Sequence, residues 1–158
     1  MATKPDNPDE RTIENRKARF SYHIEETLEV GIVLRGSEIK SVRNGEVSLG
    51  EGFVRVEVAP PALMLHNVNI GEYGPAGALG HKPVRPRTLL AHKREILKLA
   101  KQTDVKGMTC VPLKLYFKNG YAKLLIGVAR GKTSQDKRQT ISKREAERDI
   151  NRAMSRRR

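Results

Sequence analysis

The amino-acid sequence predicts a mainly β (β+α) protein: a small antiparallel β-barrel with two or three short helices and disordered tails. Apolar and polar residues alternate in several short stretches that turn residues separate. Only two internal stretches have helical spacing, and the strand-helix-strand alternation of a parallel sheet is missing. Both ends of the chain lack a recurring apolar pattern, which indicates segments outside the core.

The N-terminal third predicts a tail, a strand and a helix. Residues 1–14 have the Pro, Asp, Asn and Glu content of a flexible, solvated tail. Residues 20–34 are rich in Ile, Val, Leu, Phe and Tyr, which predicts a long strand with a bulge or bend at Gly31. A short helix is predicted from Ser37 to Arg43, because Asn44-Gly45 is a good left-handed helix stop.

The middle of the chain predicts two strands, a loop and a helix. Valines alternate with charged residues over 53–58, and Pro60-Pro61 separates this strand from a second one over 62–70. Residues 71–86 are rich in Gly and Pro and predict a long mobile loop. A helix is predicted from about Thr88, on the helical spacing of Leu89, Leu90, Ile96, Leu97 and Ala100.

A hairpin gives the clearest local signal. Asn119-Gly120 lies between two alternating runs and demands a two-residue type I′ turn, which sets the strand register. The predicted apolar pairs on one face are Phe117–Ala122, Leu115–Leu124, Leu113–Ile126 and Val111–Val128. The other face carries Lys114, Tyr116, Lys118, Tyr121 and Lys123, a mixture typical of ordinary solvated sheet faces. With five or six such strands and two inserted helices, an OB-like barrel is the leading interpretation.

The C-terminal segment, residues 131–158, has ten Lys or Arg against four Asp or Glu and too few apolar residues for a core. Arg144, Arg148, Arg152 and Arg156 recur at i,i+4, where like charges cost about 0.2–0.5 kcal/mol per pair. We therefore expect this tail to be disordered when free and helical on a polyanion. A non-specific basic tail that merely raises affinity is the alternative. The chain thus divides into a flexible tail (1–14), one barrel (15–130) and a basic tail (131–158).

Charge indicates the class of partner. Thirty-one Lys and Arg against eighteen Asp and Glu give a formal net charge of +13, which favours polyanions. No apolar stretch long enough for a membrane span, no lipidation signal and no secretory signal are visible, so we expect a cytoplasmic protein. The single cysteine, Cys110, cannot form an intrachain disulfide and is interpreted as a small buried hydrophobe. Without Trp, the chain has few platforms for stacking unpaired bases, which favours recognition of a folded RNA.

No catalytic, cofactor or metal site is predicted. The four histidines are scattered without the spacing of a metal site, and no phosphate-binding or nucleophile-elbow motif follows a strand. A nuclease that uses carboxylate-bound Mg²⁺ remains the alternative from the enzyme class.

Several blocks follow one another in the order of a known family. They are Asn15–Arg19, Tyr22–Glu26, Glu29–Ser41, Arg87–Glu95, Val111–Gly120, Gly127–Lys132 and Asp136–Arg138. Together they span nearly the whole chain from Asn15, and in this order they closely resemble the SsrA-binding protein family.

The resemblance implies an oligonucleotide-binding barrel that binds the tRNA-like domain of transfer-messenger RNA. It implies that the C-terminal tail enters the empty mRNA channel of a stalled ribosome, past the small-subunit decoding site, during trans-translation (ribosome rescue). It also implies indirect partnership with alanyl-tRNA synthetase and elongation factor Tu, and no catalysis. We further expect no cofactor, no membrane partner and a monomer. A general OB-fold RNA-binding or ribosome-associated protein without a dedicated RNA partner is the runner-up.

Site residues follow from the resemblance position by position. It implies RNA contacts by Asn15, Arg16, Lys17, Arg19, Glu29 and Leu90, although Leu90 could equally be core. For the ribosome it implies tail contacts by Lys132, Asp136, Lys137 and Arg138, and our reasoning on charge adds Arg144, Arg148 and Arg152. The chain departs from the family pattern at Lys82, Thr88 and Gln135.

Overall fold

The computed structural model describes residues 11–156. The strands are β1 (Ile13–Glu14), β2 (Tyr22–Ile32), β3 (Val47–Ser48), β4 (Phe53–Val58), β5 (Pro61–His66), β6 (Asn69–Ile70), β7 (Arg87–Leu90), β8 (Met108–Lys118) and β9 (Tyr121–Gly131). The helices are α1 (Arg16–Ser21), α2 (Gly36–Asn44), α3 (Lys93–Thr103) and α4 (Ser134–Ser155), and Gly74–Leu79 forms a short 3₁₀ segment.

Seven strands form one antiparallel sheet in the order β1-β8-β9-β2-β7-β5-β4, and β3 pairs with β6 separately. Strand β4 at one edge also packs against β8, so the sheet curls around an apolar core, and we call this curled, open sheet the barrel. A Cβ added at Gly52, directly before β4, would lie only 2.8 Å from Pro112 Cγ of β8, which shows how closely these two parts of the sheet approach each other. Among residues 11–156 no strand ladder joins β4 to β8. The predicted mainly antiparallel β architecture with short helices is confirmed.

The N-terminal elements follow the prediction with two corrections. Ile13 and Glu14 pair with β8, so order begins before Asn15, while residues 1–10 of the predicted tail lie outside the described residues. The bulge in β2 falls between Ile24 and Glu26 rather than at Gly31. The helix after Gly36 ends as predicted, because Gly45 takes a left-handed conformation with φ of 81°.

Two predictions for the middle of the chain are wrong. The predicted strand over 62–70 is split, because Asn67 has a left-handed φ of 58° and turns the chain from β5 into β6. The predicted helix from Thr88 begins only at Lys93, after its N-cap His92. Residues 87–90 instead form β7, whose backbone pairs with β2 and β5 and whose alternate side chains enter the core. Tertiary pairing overrides the local helical spacing here.

The hairpin register is confirmed near the turn and wrong beyond it. Phe117 faces Ala122 and Leu115 faces Leu124, as the Asn119-Gly120 turn predicts. A bulge at Leu113 then shifts the ladder by one residue, so that Pro112, not Leu113, faces Ile126. Since one residue of shift exchanges the two faces of a strand, Val111 and Leu113 pack outside the barrel, beneath α1.

The C-terminal segment forms α4, a helix of 22 residues that follows N-cap Thr133. Arg157 and Arg158 lie outside the described residues. That this helix depends on a bound polyanion stays a prediction. Cys110 is a buried core residue of β8, and burial raises the pKa of its thiol to about 12.

Candidate nucleic-acid interface

Asn15 is a buried residue that holds the start of helix α1 in place. Its side chain is buried, and its Nδ2 donates to the Leu49 carbonyl at 3.0 Å and to the Pro112 carbonyl at 2.8 Å. Its Oδ1 accepts from the Ala18 amide at 3.0 Å and thereby caps α1. Both amide protons and one acceptor site are therefore used inside the fold, and Asn15 holds α1 against β8.

Helix α1 presents basic side chains outward from this anchor. Ala18 is buried against the sheet, while Arg16, Lys17 and Arg19 are exposed. Lys17 forms an ion pair with Glu51, whereas the guanidinium groups of Arg16 and Arg19 have no ion pair within residues 11–156. These two arginines are free to meet phosphates.

Glu29 lies on the outer face of β2 and is held by side chains of β8. Tyr116 Oη donates to Glu29 Oε2, and Lys118 Nζ lies 3.4 Å from Glu29 Oε1. The hydrogen bond from Tyr116, with that of Lys118 and the charges of Lys118 and Lys123, holds the pKa of Glu29 below its usual range. Burial, and then the hydrogen bond to Glu29, raises the pKa of Tyr116 to about 12. Glu29 is therefore an ionised acceptor surrounded by lysines.

Leu90 closes the same face on the side of β7. It is 58% exposed, so the interpretation of Leu90 as a core residue is wrong. Its backbone partner on β2 is Gly31, and a Cβ at Gly31 would lie 3.2 Å from the Leu90 Cβ. The absence of a side chain at Gly31 therefore leaves room for the Leu90 side chain over β2, and Lys123 of β9 pairs with Gly31 from the other side.

The structure brings α1 and the Glu29 cluster onto one continuous outer face. Leu125 of β9 packs partly against the small cluster under α1 and is the backbone partner of Glu29. We call this surface the outer face, defined by Arg16, Arg19, Glu29, Leu90, Tyr116, Lys118 and Lys123. Four of its seven members were candidates from the sequence. For Tyr116, Lys118 and Lys123 the sequence predicts only a solvated sheet face. Sequence reasoning missed their proximity to Glu29, because that proximity depends on the pairing of β2 with β9.

The first residues of the tail contact the barrel. The Lys132 backbone N–H donates to the Ser21 carbonyl at 2.9 Å, and Lys132 Nζ lies 3.3 Å from the Arg19 carbonyl oxygen. Asp136 accepts from the Thr133 hydroxyl at 2.8 Å and lies 3.5 Å from His23 Nε2. Hydrogen bonds from the Thr133 hydroxyl and amide, with His23, hold the pKa of Asp136 low. Lys132 and Asp136 therefore tie the start of the helix to α1 and β2.

Beyond this junction α4 is exposed. Lys137 is half-buried, and Arg138, Arg144, Arg148 and Arg152 are exposed. Their one ion pair within residues 11–156 joins Arg152 to Asp149 at 4.0 Å, an exposed contact of little energetic value. The helix is thus an exposed rod with an arginine column along one side, in which Arg152 has an ion pair and Arg144 and Arg148 have none within residues 11–156.

A buried ionic cluster, not predicted from the sequence, fixes the strand that carries Leu90. Glu38 of α2 and Arg87 of β7 are both fully buried, with Arg87 Nε 2.8 Å from Glu38 Oε1. Arg85 donates to the same carboxylate, and the Arg87 guanidinium also donates to the Val68 and Pro83 carbonyls at 2.7 and 2.9 Å. His81, also buried, joins Ser37 to the Ile70 carbonyl. The loop between β6 and β7 is thereby tied to α2.

Two kinds of feature are absent from residues 11–156. None of their helices has the length and apolar character that crossing a membrane requires. No group of three or more His, Cys, Asp or Glu side chains there is arranged to hold a metal ion.

Comparison with known proteins adds a family to this geometry. The family model described as SmpB protein matches residues 12–156. The SsrA-binding protein of Listeria welshimeri is 50% identical over 144 residues, covering 91% of this chain and 92% of that protein. The SsrA-binding protein of Geobacillus thermodenitrificans is 51% identical over 140 residues, covering 89% of each chain.

A solved structure agrees with these matches. It is described as "tmRNA-SmpB: a journey to the center of the bacterial ribosome", and it superposes with a TM-score of 0.67 at 43% identity. The match covers 82% of this chain and 94% of that chain. Because the family model extends from the first strand through α4, it includes both the outer face and the arginine column. This chain belongs to the SmpB protein family.

Proposed function

We propose that this chain binds the tRNA-like domain of transfer-messenger RNA through the outer face. The observation that carries the proposal is the ionised Glu29 fixed among lysines. A purely electrostatic RNA surface gains nothing from a carboxylate, because the carboxylate repels phosphates. A carboxylate that accepts from a base edge or a 2′-hydroxyl discriminates one RNA surface from another. The neighbouring lysines and the α1 arginines neutralise phosphates around it.

Helix α4 is the ribosome-binding part of the proposed function. Its 22 residues extend about 33 Å at 1.5 Å per residue. Arg144, Arg148 and Arg152 point along one side of this rod, which suits a channel walled by RNA phosphates. In the proposed function, α4 passes the small-subunit decoding site and lies in the empty mRNA channel of a stalled ribosome. Lys137 and Arg138 enter the same contact nearer to the barrel.

The protein acts in this proposal as a carrier and not as an enzyme. It supports alanylation of transfer-messenger RNA by alanyl-tRNA synthetase and its delivery with elongation factor Tu. It works in the cytoplasm as a monomer, without a cofactor. The chemistry of trans-translation, in which the nascent chain is tagged and the ribosome released, belongs to the RNA and to the ribosome.

The test is binding to transfer-messenger RNA at near-physiological salt with a large excess of bulk transfer RNA. The proposal expects binding that survives the competitor and falls when Glu29 is replaced by Gln. Glu57→Gln, on β4 away from the outer face, is the control and should bind like the native chain. If bulk transfer RNA abolishes binding, the chain is a general RNA-binding protein without a dedicated partner. Cleavage of the RNA that needs Mg²⁺ and stops with a chelator would instead indicate a nuclease.

A further inference from the structure

Tyr116 is absent from the residues that the resemblance assigns to the RNA surface. Its hydroxyl nevertheless donates a hydrogen bond to one of them, Glu29. On β8 it faces outward and pairs with Lys123 of β9, and Lys123 in turn pairs with Gly31 of β2. Glu29 lies two residues from Gly31 on the same face of β2. Tyr116 therefore reaches diagonally across β9 to donate its hydroxyl proton to the Glu29 carboxylate.

We propose that Tyr116 is a positioning residue that fixes the orientation of the Glu29 carboxylate for RNA recognition. This inference rests on the proposed function. A glutamate has three rotatable side-chain bonds, and an exposed one samples many rotamers. Tyr116 holds Oε2, and Lys118 holds Oε1 from the next outward position of the same strand. With both oxygens held by one strand, the plane of the carboxylate is set before RNA arrives.

The positioned carboxylate keeps capacity for RNA. Each carboxylate oxygen has about two acceptor sites, and Tyr116 and Lys118 each use one of them. The remaining sites are available to the donors of an RNA surface, which are base amino and imino groups and 2′-hydroxyls. An acceptor fixed in advance does not have to be ordered on binding, so less of the interaction free energy is lost.

A competing role for Tyr116 is direct stacking of its ring on a base. The two roles depend on different atoms. Positioning needs the hydroxyl and works only through Glu29, whereas stacking needs the ring and is independent of Glu29. Tyr116→Phe removes the hydroxyl and keeps the ring, so this variant separates them.

The experiment is a double-mutant cycle on affinity for transfer-messenger RNA with bulk transfer RNA as competitor. We expect Tyr116→Phe to weaken binding about three- to tenfold and Glu29→Gln to weaken it about 10- to 100-fold. The double variant should bind as Glu29→Gln does, within about a factor of two. Tyr121→Phe is the matched control, since Tyr121 is 72% exposed and its hydroxyl makes no hydrogen bond within residues 11–156. Its affinity should be unchanged.

A second measurement reads positioning without RNA. The pKa of the Glu29 carboxyl is followed by NMR in the free protein, and it should rise in Tyr116→Phe and stay in place in Tyr121→Phe. Losses that multiply in the double variant, or a Tyr116→Phe protein that binds RNA like the native chain, would overturn the inference and leave the proposed function standing. If the native chain itself fails against the competitor, the proposed function falls, and the inference with it.

Discussion

Replacing Glu38 by Gln should destabilise the fold more than any change to a surface ion pair. The carboxylate lies at 0% exposure and receives Arg87 Nε at 2.8 Å, Arg85 Nη2 at 2.5 Å and the Arg35 amide at 2.7 Å. Burial alone would raise its pKa, but these three partners hold the pKa of Glu38 below its usual value of 4.5. A neutral amide in place of this carboxylate cannot neutralise two guanidinium groups.

The magnitude follows from the burial of the partner left behind. Arg87 is also at 0% exposure, so it cannot move its charge into water without unfolding β7. Removing one member of a buried ion pair typically costs about 3–5 kcal/mol. At about 2–4 °C per kcal/mol for a chain of this size, we expect Tm to fall by about 6–20 °C.

The assay is reversible urea unfolding followed by circular dichroism, which gives the midpoint and the slope separately. Glu57→Gln is the control, because Glu57 and Arg55 are 3.5 Å apart with side chains 41% and 66% exposed. We expect the control to lose at most about 0.5 kcal/mol. A Glu38→Gln variant that loses no more stability than the control, at an unchanged slope, would contradict this expectation. Replacing both partners, with Glu38→Leu and Arg87→Met, should recover part of the loss.

Three other outcomes are expected. Since the pKa of Glu38 is lowered on folding, its stabilising contribution is complete above pH 4.5 and is lost as pH falls further, so urea midpoints should drop on acidification and drop less in Glu38→Gln. Asn15→Ala should cost about 1–3 kcal/mol, because it removes one donor each from the buried Leu49 and Pro112 carbonyls and the side-chain cap of α1, and an unchanged urea midpoint would contradict this. A peptide of residues 131–158 should show little helix by circular dichroism in low-salt buffer and should gain helix with RNA, and a stable helix without RNA would refute folding on binding.

Local signals in the sequence predicted the hairpin turn and α2 well, because a left-handed residue ends each element. Asn119-Gly120 and Gly45 occupy that region, with φ values of 52°, 78° and 81°. No comparable sequence signal predicts the bulge at Leu113, because a bulge depends on how the partner strand packs. Because this extra residue was not predicted, Val111 and Leu113 were assigned to the face opposite to the one they occupy.

Non-local pairing accounts for the other differences at the candidate site. Arg87 and Glu38 are 49 positions apart, and no pattern in either neighbourhood predicts that they meet in the core. Strand β7, which carries Arg87 and pairs with β2 and β5, occupies the predicted start of the helix and leaves Leu90 exposed. Position-by-position resemblance found Glu29 and Leu90, but Tyr116 became relevant only when the β2–β9–β8 register placed it beside Glu29.

Because Cys110 is buried, the folded chain should react very slowly with thiol reagents. Burial raises the pKa of its thiol to about 12, so the reactive thiolate is scarce at pH 7, and its Sγ is shielded by the core. Since the chain has no other cysteine, a cysteine introduced at an exposed position is the one that maleimides or spin labels modify. One label on α4, at Ser142, and a second on the barrel, at Thr88, would report the angle and distance between tail and barrel in the otherwise native protein.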